Sequence, residues 1–113
     1  MPFIDVKTNR KFTFEEENLI KEELGNLINI FPNKSERYLM INLTYSPSMY
    51  FSGTNESLAY VEVKLYKEVN KEICNIFTKK VTDLISNTLR INIDRIYVSY
   101  FFTNTWGFCG ENF

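Results

Sequence analysis

Leu58-Ala59-Tyr60-Val61-Glu62-Val63-Lys64-Leu65-Tyr66 alternates without a break, with Ala59, Val61, Val63 and Leu65 on one side and Tyr60, Glu62 and Lys64 on the other. A period of two sends successive side chains to opposite faces, so this segment is a strand with one buried face. Downstream, Ile73, Ile76, Phe77, Val81, Leu84, Ile85 and Leu89 recur at helical spacing across residues 71–89. Ile96 to Phe102 then reads as a second strand. The same order precedes the quoted stretch. Residues 2–7 form a short strand, and Thr13-Phe14-Glu15-Glu16 has the form of a capping box with acids in the first turn. Ile20, Leu24, Leu27, Ile28 and Phe31 place a helix from about 14 to about 30. Pro32-Asn33-Lys34-Ser35 breaks it, Tyr38 to Tyr45 is a strand, and Ser46 to Asn55 is a loop.

The strand–helix–strand unit therefore recurs roughly 57 residues after its first appearance. Residues 1–113 read as one domain of the α/β (α+β) class. It is built from two βαβ units with right-handed crossovers, giving a four-stranded mixed sheet with both helices on one face. The opposite face would carry Tyr38, Met40, Tyr60, Tyr66 and aromatics from 97–102. A monomer exposing such a patch is prone to aggregate, which predicts a closed symmetric oligomer with the bare sheets facing inward.

A formal net charge of −1, with no strongly basic window, argues against nucleic acid as a partner. The chain has no histidine, and its two cysteines, Cys74 and Cys109, form no CxxC pair. Zinc constellations and Ser-His or Cys-His nucleophile pairs are thus not expected, nor is any metal site. Charged residues crowd the first twenty positions and no apolar run is long enough to span a bilayer, so no signal peptide and no membrane segment are expected. The expected setting is cytoplasmic, with both thiols free.

Chemistry points to the start of the chain. Initiator Met is usually removed before a small residue such as Pro, which would leave Pro2 as a free secondary amine. α-Amino groups titrate at about 7.7–8.0, and burial or a nearby cation lowers that value toward the range where a general base works well. Taken alone, Pro2 equally suits the first residue of an edge strand, where a missing N–H is tolerated.

An ordered set of segments changes that balance. Met1-Pro2, Thr8-Asn9, Lys34, the strand from Tyr38, Phe51-Ser52-Gly53-Thr54-Asn55-Glu56 and Leu89-Arg90-Ile91-Asn92-Ile93-Asp94-Arg95-Ile96-Tyr97 follow one another. Asn104-Thr105-Trp106-Gly107-Phe108-Cys109-Gly110-Glu111-Asn112-Phe113 closes the chain. Together these resemble the macrophage migration inhibitory factor family of the tautomerase superfamily, over the whole length. The resemblance implies a homotrimer whose sheets line a central channel. It also implies a keto–enol tautomerase acting on small aromatic, phenylpyruvate-like α-keto acids without a cofactor. Pro2 would be the base. Lys34 would bind the substrate carboxylate and depress the Pro2 pKa, and the backbone N–H of Tyr66 would assist. Tyr97 would reach the pocket from a neighbouring subunit, Ser99 would stand where the family has a pocket Asn, and Tyr38, Trp106, Phe108 and Phe113 would wall in the phenyl ring.

The resemblance also implies a rival role, a cytokine-like protein that engages a cell-surface receptor and is exported without a signal peptide. Leu58-Ala59-Tyr60-Val61 replaces the CxxC of the vertebrate form, so thiol–disulfide activity is not expected. The family's Ile-Gly-x-x-Gly turn is Tyr66-Lys67-Glu68-Val69-Asn70 here. Without glycine the turn must take different backbone angles, or place Asn70 in the left-handed region.

Overall fold

The computed structural model describes residues 1–113, and its centre is the strand quoted above. That strand, β3 (Ala59–Tyr66), lies antiparallel to β1 (Pro2–Thr8) and parallel to β4 (Ile96–Thr103). β2 (Met40–Tyr45) pairs in parallel with the far side of β1, giving the order β2-β1-β3-β4. Helices α1 (Phe14–Leu27) and α2 (Lys71–Leu89) connect the parallel pairs and pack against each other. The expected mixed four-stranded sheet with two helices is the architecture observed.

The core forms because the alternating strands turn one apolar side toward the apolar stripes of the helices. Ile4, Val6, Val61, Val63 and Leu65 are fully buried beneath Ile20 and Leu24 of α1, Ile28 just past its end, and Phe77, Val81 and Ile85 of α2. Phe31 closes one end, its ring centroid 4.6 Å from that of Phe77.

Thr13 caps α1: its hydroxyl accepts from the Glu16 N–H, and the Glu16 carboxylate accepts from the Thr13 N–H. Such a cap is worth about 1 kcal/mol. Arg10 forks onto the same carboxylate at 2.9 and 2.8 Å, tying the end of β1 to the start of α1. The α-helix stops at Leu27 and tightens into a 3₁₀ turn at Ile28–Ile30, so the expected helix end near residue 30 covers two kinds of helix. Tyr38 lies in a second 3₁₀ turn, Glu36–Tyr38, rather than in the strand expected to begin there.

Two further differences concern the bare sheet face. Tyr100 does not lie on it, because strand alternation turns its ring toward the helices. Its hydroxyl lies 2.7 Å from that of Thr78 and donates to the Cys74 carbonyl at 2.9 Å, and burial pushes its pKa up to about 12. The middle of the face is also polar rather than aromatic. Strand register places Asn42, Asp5, Glu62 and Ser99 in one row across all four strands. Lys7 bridges Glu62 at 3.0 Å and Asp5 at 3.4 Å, Asn42 donates to Asp5 at 2.9 Å, and the hydroxyls of Tyr60 and Ser99 lie 2.7 Å apart. Met40, Phe3, Lys64 and Phe101 form a flanking row, with the Lys64 ammonium 5.7 and 6.0 Å from the two ring centroids. The bare face is a mosaic.

The C-terminal segment forms a hairpin that the sequence reading did not foresee, β5 (Gly107–Phe108) and β6 (Glu111–Asn112). Its two-residue turn needs positive φ at both central positions, which Cys109 (φ 54) and Gly110 (φ 81) supply. Cys74 is buried and Cys109 exposed, both as free thiols.

The Arg10 fork, with help from the Thr13 N–H, lowers the Glu16 pKa from the ordinary 4.5 to about 2. A depressed carboxylate stabilises the fold above its unfolded pKa, and the contribution disappears as pH falls toward the folded value. Glu16→Gln should therefore melt earlier than the wild type at pH 7, and the two melting temperatures should converge between pH 4.5 and about 2.

Candidate active site

Pro2 begins β1 opposite Leu65 and is buried. Lacking an N–H, it loses nothing at the first position of a strand. It opens onto a cavity of about 410 Å³ whose walls include Tyr38, Trp106 and Phe108. The C-terminal hairpin presents Phe108 edge-on to Tyr38, with centroids 5.7 Å apart and planes at 84°. The Phe113 N–H donates to the Trp106 carbonyl at 2.9 Å and closes the hairpin onto itself.

Lys34 stands in the turn that follows the 3₁₀ extension of α1. Pro32 cannot continue the helix, and Asn33 takes a left-handed conformation (φ 61) that its short polar side chain tolerates. Lys34 lines a second cavity, of about 450 Å³, with Tyr66 and Lys67. Its ammonium donates to the Tyr66 carbonyl at 3.3 Å and meets no carboxylate within ion-pair distance. Burial first, and the neighbouring Lys67 second, pull its pKa below the ordinary lysine value.

Met1 connects the two cavities. Its carbonyl accepts from the Tyr66 N–H at 3.3 Å, and Met1 lines the Pro2 cavity. Burial, followed by the charge of Lys34, lowers the pKa of the N-terminal amine from the ordinary 8.0. Cation and amine thus sense each other across this end of the sheet.

The structure brings Pro2, Tyr38, Trp106 and Phe108 into one cavity, and Lys34 and Tyr66 into the adjoining one. Phe113 joins the second group through its ring, 6.3 Å from that of Tyr66. Tyr97 and Ser99 do not join either group within one chain. Pro2 is level with Leu65 and Phe102, so Tyr97 lies five residues away along β4, about 17 Å. It is 61% exposed on an edge strand, its ring 4.9 Å from that of Phe51. Arg95 supports Phe51 by donating to the carbonyls of Phe51, Glu56 and Ser57. The Ser99 hydroxyl is already engaged by Tyr60.

Two cations escaped the sequence reading. Arg37 lines the Pro2 cavity, its guanidinium 5.3 Å from the centroid of the Tyr38 ring, and no sequence signal marks it. Lys67 carries the left-handed backbone (φ 71) of the glycine-free turn. The alternative expected for Asn70 does not occur: its φ is −67, and its side chain caps α2 by accepting from the Ile73 N–H. The absent glycine was the available signal for Lys67. No cluster of three His, Cys, Asp or Glu side chains could hold a metal, and no helix is long and apolar enough to cross a membrane.

A partly buried N-terminal amine, an unpaired lysine and a freeable backbone N–H beside an aromatic wall are groups able to hold a small aromatic acid and move a proton on it. The family model described as macrophage migration inhibitory factor (MIF) matches residues 1–112. The mouse (Mus musculus) macrophage migration inhibitory factor is 26% identical over 104 residues, 92% of this chain and 90% of that protein. The gerbil (Meriones unguiculatus) protein of the same name matches to the same extent. Among solved structures, Leishmania major MIF2 superposes with a TM-score of 0.92 at 24% identity, covering 100% of this chain and 97% of that one. A homologue from Prochlorococcus marinus has a TM-score of 0.79 at 27% identity, covering 98% of each chain.

Removing the Lys34 charge should raise the pKa of the N-terminal amine in the Met1-bearing chain. The amine should nevertheless stay below 8.0, because burial is the larger cause of its depression. Titration of the amine by NMR in Lys34→Met measures both effects, and an unmoved pKa would remove Lys34 from the electrostatics of this site.

Proposed function

The chain belongs to the macrophage migration inhibitory factor family, and we propose that it is a keto–enol tautomerase of small aromatic α-keto acids with Pro2 as its base. One observation carries this reading: the Met1 carbonyl occupies the Tyr66 N–H, on the residue whose carbonyl holds Lys34. Removal of Met1 exposes the Pro2 nitrogen and frees that N–H in one event. A carboxylate can then take the place of the Met1 carbonyl, accepting from the Tyr66 N–H and the Lys34 ammonium. Charge-assisted bonds of this type are about twice as strong as neutral ones.

With the carboxylate held there, the aromatic ring extends toward Tyr38, Trp106 and Phe108. The Pro2 nitrogen takes the enol hydroxyl proton, and the enol electrons move to form the carbonyl and a bond from carbon to hydrogen. The proton delivered to that carbon comes from the Pro2 ammonium, so the base is regenerated and no cofactor is consumed. Burial and Lys34, which lower the pKa of the Met1 amine, would act likewise on the Pro2 amine and favour its neutral form, the one that accepts a proton.

The proposal includes a homotrimer. Tyr97 lies on the exposed edge strand β4, out of reach of its own Pro2, and an adjoining subunit would place it at the next site as a hydrogen-bond donor to the developing carbonyl. Ser99, lying toward the same edge, would stand beside it. The polar centre of the bare face suits a water-lined channel better than a dry interface, so contact along strand edges would carry the assembly. A receptor-binding role is the rival reading. It draws on what the rodent relatives are called, whereas the amine, the lysine and the aromatic wall all favour catalysis.

The enol-to-keto conversion of phenylpyruvate tests this directly. A chain lacking Met1 should show a rate that Pro2→Gly lowers by about 10²-fold or more, the usual scale of a lost general base. The active protein should sediment as a trimer. An unchanged rate in Pro2→Gly would overturn the proposal, and a stable active monomer would remove Tyr97 from it.

A further inference from the structure

Lys67 is a second unpaired cation at the carboxylate end of the site. It shares the cavity of about 450 Å³ with Lys34 and Tyr66, a volume that suits the head group and part of the body of a small acid. Its placement is specific. The turn after β3 takes φ 71 at Lys67, a conformation unfavourable to any residue with a Cβ. The Lys67 N–H donates to the Thr103 carbonyl at 2.8 Å, which ties the turn to the end of β4. The side chain lies over Tyr66, its ammonium 5.3 Å from the ring centroid, next to the residue whose N–H would bind the substrate.

Neither ammonium is neutralised. No carboxylate comes within ion-pair distance of Lys34 or Lys67, although Glu68 lines the same cavity. The Lys34 ammonium has one protein acceptor, the Tyr66 carbonyl at 3.3 Å. The two lysines repel each other, and the effect is felt at Lys34, whose proton affinity falls through burial and then through Lys67. An anion between them turns that repulsion into two attractions, and a doubly charged anion gains most.

We infer that Lys67 is a specificity-determining residue that pairs with Lys34 to select α-keto acids bearing a second carboxylate near the first. The inference rests on the proposed tautomerase site for the position of the first carboxylate. It goes further in assigning the second carboxylate to Lys67.

Phenylacetate and phenylmalonate differ by one carboxylate on a common skeleton and separate the two lysines without any turnover. Calorimetry on the Met1-free chain at low ionic strength should show phenylmalonate binding about tenfold more tightly than phenylacetate. Lys67→Met should bring that ratio to about twofold or less, and Lys67→Arg should restore most of it. Lys34→Met should weaken both ligands. A ratio near one in the wild type, or a ratio that survives Lys67→Met, overturns the inference, as does failure of both ligands to bind. Because the readout is binding, a protein that shows the Lys67-dependent preference but no phenylpyruvate turnover would overturn the tautomerase reading alone.

Discussion

The antiparallel pairing of β1 with β3, from Pro2 opposite Leu65 to Thr8 opposite Ala59, is the constraint on which everything else depends. It joins the two βαβ halves into one sheet, and by doing so brings the first residues of the chain to the end of the third strand. A slip of one residue would turn Ile4 and Val6 out of the core and Asp5 and Lys7 into it, so burial fixes the register strongly. The same register sets the Met1 carbonyl against the Tyr66 N–H. The position of the candidate base is therefore a consequence of core packing on the other side of the strand.

The chemistry proposed for this end of the sheet is electrostatic. Its formal net charge of −1 leaves the chain nearly neutral, yet Lys34, Arg37 and Lys67 line the two adjoining cavities without taking part in any ion pair. Elsewhere opposite charges meet, as in the Lys7 bridges and the Arg10–Glu16 fork. Unpaired cations gathered beside a partly buried amine favour its neutral form and attract an acid. Under the proposed function, one arrangement would serve both binding and proton transfer.

Much of the fold could be read from local pattern. Strict alternation identified β3, helical spacing identified α1 and α2, and Thr13 with Glu16 marked a helix start that the structure caps as expected. What could not be read depended on register or on backbone angles. Asp5, Lys7 and Glu62 look like solvated positions one at a time, and form a network only when Asp5 comes level with Glu62 and Lys7 follows two residues along the same face. Cys109 is not an obvious turn residue, so the hairpin carrying Phe108 was hidden. In the turn after β3, Asn70 was the better candidate for positive φ, but capping α2 requires an extended Asn70 and leaves the left-handed position to Lys67. Pro2, Lys34 and the aromatic wall could be named from motifs. That the Met1 carbonyl masks the Tyr66 N–H could be seen only in three dimensions.

The central claim is that burial and Lys34 make the Pro2 amine a base at neutral pH. Nitrogen-15 NMR titration of Pro2 in the Met1-free chain, set beside the pH dependence of kcat/KM for phenylpyruvate, tests it most directly. The account predicts a pKa below the ordinary α-amino range of about 7.7–8.0, coinciding with the acid limb of the rate profile. A Pro2 amine titrating at or above that range, or an acid limb that does not follow it, would contradict the account.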